Sequence, residues 1–331
     1  MNTEKFAPSV IISSRIRFAR NIVDYPFPPV LDAAGRKEII EKVAAALKNH
    51  GYTKSDELDT PLKAKALSEQ NLISREFANE KEAHALFVNA DRSVCIMVCE
   101  EDHLRIQGFA PGLDLAEAFR AAREAERLLG AGIRFAFDKE LGYLTHCPTN
   151  LGTAMRASVM LFLPGLTMMN RMGDLKSQLD KIGMTIRGIY GEGSKASAYM
   201  YQISNRLSLG ICESDILQKT ENIIRQIAGE ELRARRAIFE SAKTKITDKV
   251  RRSLGIMKYA YAISTEEFLN IYADVRLGID LKIVTETDYQ TLDALLPAVM
   301  PAHLICRDAN ACATPAARDI FRAKCIQEAL A

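Results

Sequence analysis

From residue 10 the chain reads VIISSRIRF, an Ile/Val-rich run whose charged side chains fall on alternate positions, the period of a strand. Residues 33–48 (AAGRKEIIEKVAAALK) switch to helical spacing, and 62–78 read as helical too. HALFVNADRSVCIMVCEEDHLRIQGF then predicts three short strands, with a hairpin turn at Asn89-Ala90-Asp91. A strong helix is predicted from Leu115 to Leu129, with Gly130 as its stop. IRFAF (133–137) reads as a strand, 157–163 as a buried strand and 171–181 as a short helix. TIRGIY and YMYQISN predict two further strands, and a long helix follows from Glu213 to Lys243. Beyond it the pattern is helical alone, over 264–278, 285–298 and 315–330. This order predicts an α+β fold. Residues 8–245 form an antiparallel-sheet body flanked by helices, and 246–331 a small all-helical C-terminal domain.

Composition narrows the function classes. The chain has 331 residues, 48% hydrophobic and 26% charged, as in an ordinary globular enzyme. A net charge of +2 implies no broad nucleic-acid or membrane surface. The longest apolar run, Val159–Leu163, is too short to span a bilayer, and MNTEKFAPSV has no signal-peptide pattern. The seven cysteines form no CxxC pair, and Cys95 and Cys99 lie in an apolar strand as buried thiols. A reducing, cytoplasmic location is expected.

Candidate chemistry comes from charge placed on apolar strands. In SSRIR, alternation puts Arg15 and Arg17 on one face, an anion site of two guanidinium groups. In EEDHLRIQ, Glu101 and Arg105 share a face if the segment is extended. In RGIYGEG, Arg187 ends a strand and glycines allow a tight path to Glu192. LTHCPTNLGTAMRASVM adds Cys147 and Arg156. Taken singly, each is an ordinary solvated cluster of little energetic weight. Together, five arginines and two glutamates on apolar strands point to bound anions. Cys147 invites three readings: nucleophile, metal ligand, or neither. His146 is poorly placed as its base, because adjacent residues of an extended chain point apart.

CPTNLGT followed by Arg-Ala-Ser, with the SxRIR, EEDHLRI, RGxxGE and ISNRLSLG stretches in order over 10–245, resembles the phosphagen (guanidino) kinases. The resemblance implies transfer of the γ-phosphoryl group of ATP to a guanidinium nitrogen. It implies a nucleotide pocket built from Ser13, Ser14, Arg15, Ile16, Arg17, Arg105, Arg156, Ala157, Ser158, Val159, Met160, Arg187, Gly188, Ile189, Tyr190, Gly191 and Glu192. Mg²⁺ would ride on the phosphates without a protein cage. There is no Walker A loop. Glu101 and Glu192 would grip the acceptor guanidinium, align one nitrogen and take its proton. Cys147 would then be a thiolate beside that cation, with Thr149 donating to its sulfur. Asn71 stands where many relatives have a nucleotide-contacting His, and His84 and His103 read as structural.

RDIFRA (318–323) is similar to the RDxxRA phosphoarginine-binding motif of the branch that modifies arginine in proteins. Arg318 and Arg322 would take the phosphate and Asp319 the guanidinium. Only twelve residues precede Ser13, leaving no room for the helical domain that closes over free amino-acid substrates. The implied partners are protein substrates, an activator of the McsA type, a Clp ATPase and a second copy in a homodimer, in a stress-response setting. The alternatives are a small-molecule arginine kinase and a non-catalytic phosphoarginine adaptor.

Overall fold

The computed structural model describes residues 9–189 and 197–331. In chain order the first half contains β1 (Ile11–Arg20), α1 (Ala33–Leu47), β2 (Tyr52–Lys54), α2 (Pro61–Glu69), α3 (Arg75–Ala78), β3 (Ala85–Asn89), β4 (Val94–Val98), β5 (Leu104–Pro111) and α4 (Leu115–Gly130). Then come the short pair β6 (Phe137–Asp138) and β7 (Gly142–Tyr143), followed by β8 (Met155–Phe162), α5 (Pro164–Met168), α6 (Met172–Lys181), β9 (Met184–Gly188) and β10 (Met200–Asn205). The rest is helical: α7 (Glu213–Tyr259), α8 (Thr265–Asp280), α9 (Tyr289–Ala298), α10 (Pro301–Arg307) and α11 (Pro315–Leu330).

Eight strands form one sheet in the order β2-β3-β4-β5-β1-β8-β10-β9, every neighbouring pair antiparallel. Alternation along β1 divides the sheet into two faces. Ile16 and Phe18 are fully buried in the main core, where Phe18 meets Phe119 of α4 edge-on at 5.9 Å. Gly108 on β5 permits that packing, because a Cβ there would sit 2.2 Å from the Ala118 carbonyl oxygen. The opposite face carries Arg15 and Arg17. It is only partly covered, by a small cluster in which Leu67, Ile73 and Phe77 pack on Leu86, Cys95 and Met97. The uncovered part of that face is the floor of the site.

The mixed fold, the three strands of 84–109 and the C-terminal helices follow the sequence pattern. Four local expectations are corrected. The helical stretch 62–78 breaks into α2 and α3, because Asn71 adopts a left-handed φ of 59°. IRFAF is mostly irregular, holding only the bridge from Phe135 to Ile22 and the start of β6. Glu101 is not on a strand face with Arg105. It lies in the tight β4–β5 loop, closed by Cys99 N–H to His103 O at 2.9 Å and Glu100 N–H to Asp102 O at 3.2 Å. Finally, the long helix does not stop near Lys243: α7 continues to Tyr259 through a kink at Ala242 (φ −139°, ψ 36°).

The C-terminal helices share a second core with the sheet, in which Phe162 and Met200 join Ile246, Val250, Phe268 and Tyr272. Buried arginines on α7 and α8 tie the same junction. Arg235 pairs with Glu231 at 2.6 Å and with Asp280 at 2.9 Å, and Arg276 donates to the Ser9 carbonyl at 2.9 Å. Among the described residues no helix is long and apolar enough to cross a membrane.

Candidate active site

The sheet register brings the predicted arginines together. Arg17 on β1 stands directly opposite Arg156 on β8, and Arg15 opposite Ser158, to whose hydroxyl its Nε donates at 3.4 Å. Arg105 lies one strand away on β5, and Arg187 is on β9. Like charges directly opposite in a sheet are unfavourable. Burial and Arg105 lower the Arg15 pKa to about 10. Burial, Arg15, Arg105 and Arg156 hold Arg17 well below its usual value, and burial with Arg187 and Arg105 lowers Arg156. Guanidinium groups stay protonated in proteins, so these shifts express accumulated positive charge rather than neutral arginines. Arg17 Nε is also buried without a hydrogen-bond partner among the described residues. A polyanion would relieve all of these costs together.

Two clefts meet at this cluster. One has a cavity volume of about 760 Å³ and holds Arg15 and Arg187 together with Asn71 and Gly188. The other, with a cavity volume of about 80 Å³, holds Glu101, Asp102, Arg156 and Asn150. Arg17 and Arg105 line both. The first is large enough for a nucleotide, and the second sets Glu100, Glu101 and Asp102 among arginines, so that carboxylates stand beside the cationic cluster.

The acidic side is built on the β4–β5 loop. Arg105 pairs with Glu100, which also accepts from the Ser74 hydroxyl, so Glu100 rather than Glu101 neutralises that arginine. Glu101 stays at the cleft surface. Burial, with Asp102 adding its negative charge, raises its pKa above the ordinary carboxylate value, against the opposing pull of Arg105. A more basic carboxylate is better suited to accept a proton. Cys147 lies on the facing loop with Sγ 3.0 Å from Thr149 Oγ1, a contact in which either atom can donate. Cys147 and Glu101 both lie close enough to Arg156 to favour its charge. His146 turns away, its ring edge-on to Phe27 at 5.8 Å.

Several positioning residues escaped the sequence reading. Buried Asp102 accepts from Asn21 Nδ2 at 2.6 Å and from the His146 backbone N–H at 2.8 Å. One carboxylate thereby ties the loop carrying Glu101 to the loop carrying Cys147. His103 Nδ1 accepts from Ile22 N–H at 3.0 Å, so its Nε2–H donates to Pro26 O at 2.9 Å, a neutral tautomer that anchors the same loop. Arg36 supports it from behind through Cys99 O at 3.3 Å. In ISNRLSLG, Asn205 accepts from Ala157 N–H and donates to Met155 O, and Ser208 donates to Leu151 O. Gly152 of CPTNLGT has φ 93° and lies so close to Ser208 that a Cβ would meet its carbonyl at 2.4 Å. The signal for these residues was their place inside the quoted motifs, whose letters serve geometry as often as chemistry.

Ser13, Ser14, Ile16, Ala157, Ser158, Val159 and Met160 lie on β1 and β8, where Ser14 and Ser158 are buried in the sheet. Gly188 and Ile189 line the larger cleft. The expectations for Tyr190, Gly191 and Glu192 lie outside the described residues. On α11, Arg318 and Asp319 are half-buried. Arg322, expected to share the phosphate with Arg318, is fully buried, donating to Val299 O at 2.9 Å, Ile263 O at 2.8 Å and Asp319 at 2.6 Å.

A sheet-borne arginine cluster with carboxylates beside it is the arrangement that phosphoryl transfer to a guanidinium, the chemistry of the guanidino-kinase class, would require. Comparison with known proteins agrees. Residues 36–234 match the family model of the ATP:guanido phosphotransferase C-terminal catalytic domain, and 243–331 match the protein-arginine kinase McsB C-terminal domain. A protein-arginine kinase from Symbiobacterium thermophilum is 41% identical over 97% of this chain and 93% of its own length. Another, from Halothermothrix orenii, is 39% identical over 97% of this chain and 93% of its own. The fold is similar to a duplicated taurocyamine kinase from Schistosoma mansoni (TM-score 0.61, 22% identity), covering 81% of this chain and 40% of that one. It is also similar to a lombricine kinase (TM-score 0.58, 24% identity), covering 70% of this chain and 67% of that one. The chain belongs to the protein-arginine kinases.

Proposed function

We propose that the protein transfers the γ-phosphoryl group of ATP to the guanidinium of arginine side chains in proteins. The observation that carries this reading is the meeting of the two clefts at Arg17 and Arg105, cationic floor on one side and Glu101 with Cys147 on the other. Arg15, Arg17, Arg105, Arg156 and Arg187 cradle the phosphates through bidentate N–H groups. The cationic donor set suits phosphate oxygens rather than a metal, so Mg²⁺ rides on ATP and water, where it supplies charge neutralisation. The acceptor cation enters the smaller cleft, where Glu101 and the Cys147 thiolate orient one nitrogen in line with the γ-phosphorus. The N–P bond forms as the bond to the β–γ bridging oxygen breaks, ADP leaves, and the nitrogen's proton passes to Glu101 or to Glu192.

The two units divide at the Ala242 kink, and the C-terminal one carries a phosphoarginine site in which Arg318 and Asp319 meet the ligand while Arg322 holds the helix. Activation by an McsA-type protein, delivery to a Clp ATPase, a homodimeric state and a cytoplasmic stress-response role belong to the same reading. Incubation with ATP-Mg²⁺ and a protein substrate, followed by mass spectrometry at neutral pH, tests it: phosphoarginine is expected, and N–P bonds would not survive acid. Equal specificity constants for free and protein-bound arginine would return the site to a small-molecule guanidino kinase. Phosphoarginine binding without turnover would make the protein an adaptor.

A further inference from the structure

Directly after β10 the chain makes a turn whose side chains stand outside the sheet. Arg206, Leu207 and Leu209 are exposed, whereas Ser208 between them is buried on the Leu151 carbonyl. The Arg206 N–H donates to the Gly183 carbonyl at 2.9 Å, which lays this turn beside the one between α6 and β9. Leu207 reaches toward that second turn: its Cδ1 is 3.9 Å from where a Cβ on Gly183 would sit. Ile182, the residue before, is 42% exposed, and Leu207 and Leu209 are each 49% exposed. A single exposed leucine is ordinary, but three large aliphatic side chains on two adjoining turns form a patch.

Arg206 connects this patch to the chemistry. It lines the smaller cleft together with Glu101 and Asp102. It also lines a shallow hollow of about 520 Å³ over α6, with Lys176 and Lys181. These three cations face one carboxylate there, Asp180. None of the three has an ion-pair partner among the described residues, so the surplus positive charge is open to a ligand. A second hollow, of about 750 Å³, starts at Ile182 and follows α7 past Ile211 and Ile223. One cationic and one apolar hollow therefore start from the pair of turns that borders the smaller cleft.

We propose that these hollows seat the stretch of substrate protein next to the acceptor arginine, its carboxylate side chains lying on Arg206, Lys176 and Lys181 and an apolar side chain on Leu207 and Ile182. This rests on the smaller cleft being where the acceptor guanidinium enters. The order of charges selects the occupant. The acceptor cation meets Glu101 and Asp102, and a neighbouring carboxylate then meets the three cations, whereas a neighbouring lysine would meet like charge. Arginines with acidic and apolar neighbours are thus favoured, and arginines in basic sequence are turned away by repulsion.

The test uses steady-state kinetics at saturating Mg-ATP with three acceptors: free arginine, a peptide whose single arginine is flanked by glutamates and leucine, and the same peptide with lysines in place of the glutamates. For the wild type the glutamate peptide should have a KM about tenfold below that of the lysine peptide, the sum of three modest exposed contacts, and the gap should shrink in high salt. Lys176→Glu combined with Lys181→Glu, both on the exposed face of α6, should narrow or invert that preference through KM, with kcat and ATP affinity unchanged. Leu207→Ser should raise KM for both peptides but not for a peptide lacking the leucine. Thermal melts establish that the variants fold. Equal KM for the two charged peptides in the wild type, or an unchanged preference in the folded double variant, would overturn the proposal while leaving protein phosphorylation standing. A fall in kcat for free arginine in the double variant would also overturn it, since the lysines would then act on the active site. Absence of peptide turnover in the wild type would remove the protein-substrate reading itself, and the docking surface with it.

Discussion

Replacing Arg17 by Met should make the ligand-free protein more stable and the enzyme worse. Arg17 stands opposite Arg156 in register, its Nε is buried without a partner among the described residues, and its pKa is lowered first by burial and then by Arg15, Arg105 and Arg156. An unsatisfied buried donor costs about 1–3 kcal/mol, and methionine fills much of the same volume without that cost. Cross-strand repulsion adds a smaller amount, because the cleft is open to water and salt. The expected gain is therefore about 1–3 kcal/mol, read in thermal or urea melts as a higher midpoint at unchanged m-value. ATP should respond in the opposite direction. One charge-assisted hydrogen bond is worth about 1.5–3 kcal/mol, so ATP affinity should fall roughly ten- to hundredfold. Melts with and without saturating Mg-ATP measure both effects on one sample. The wild type should gain much more from nucleotide than the variant. A destabilised ligand-free variant, or one with wild-type ATP affinity, would refute the view that the sheet stores repulsion for a polyanion to relieve.

Glu101→Gln should abolish phosphorylation while leaving Mg-ATP binding in calorimetry largely intact; turnover near that of the wild type would remove Glu101 from the chemistry. Because burial and Asp102 raise the Glu101 pKa, the acid limb of the pH–rate profile should lie above the ordinary carboxylate value of 4.5, with activity lost as pH falls and the carboxylate protonates. Cys147→Ser should lower kcat by roughly tenfold to a thousandfold, the span of one preorganised electrostatic contact, and a trapped phosphocysteine in the wild type would contradict its non-covalent role. His103 has a lowered pKa, caused first by burial, so the unfolded chain binds its proton more readily. Its contribution to stability should be complete above pH 6.5 and decline as pH falls below that value, which melts of wild type and His103→Gln between pH 5 and 8 would reveal as a difference that narrows in acid. Arg318→Ala or Asp319→Ala should remove calorimetric binding of free phosphoarginine with basal kinase activity retained, whereas Arg322→Ala should also lower the melting temperature, since that side chain is fully buried.

The parts of the structure that sequence made legible are those governed by short-range periodicity. Alternation in SSRIRF placed Arg15 and Arg17 on one face, and the sheet register then set Arg156 opposite Arg17, which no local pattern encodes. The break between α2 and α3 was hidden because Asn71 reaches a left-handed conformation without a glycine, and Gln107, thirty-five positions away in sequence, takes the Leu72 carbonyl at 2.9 Å. The spacing of Glu101 and Arg105 suggested a shared face only under the assumption of an extended chain. The hairpin loop instead gave Arg105 to Glu100. Asp102 was invisible as a positioning group, since its partners, Asn21 and the backbone of His146, become neighbours only after folding. The burial of Arg322 was not legible, because three- and four-residue spacing describes a helix face without saying what that face packs against.

The passage of α7 through Ala242 has a mechanical consequence. A flexible tether would let two bodies diffuse independently, but a kinked helix transmits torque. Its far half carries Ile246, Val250 and Met257 into a core that also contains Phe162 and Met200 of the sheet. Any swing of the C-terminal helices must therefore bend one rod at one joint and slide side chains over the end of β8. Cutting the chain near residue 245 would sever a helix in mid-span and strip the paired ends of β8 and β10, Phe162 and Met200, of their cover.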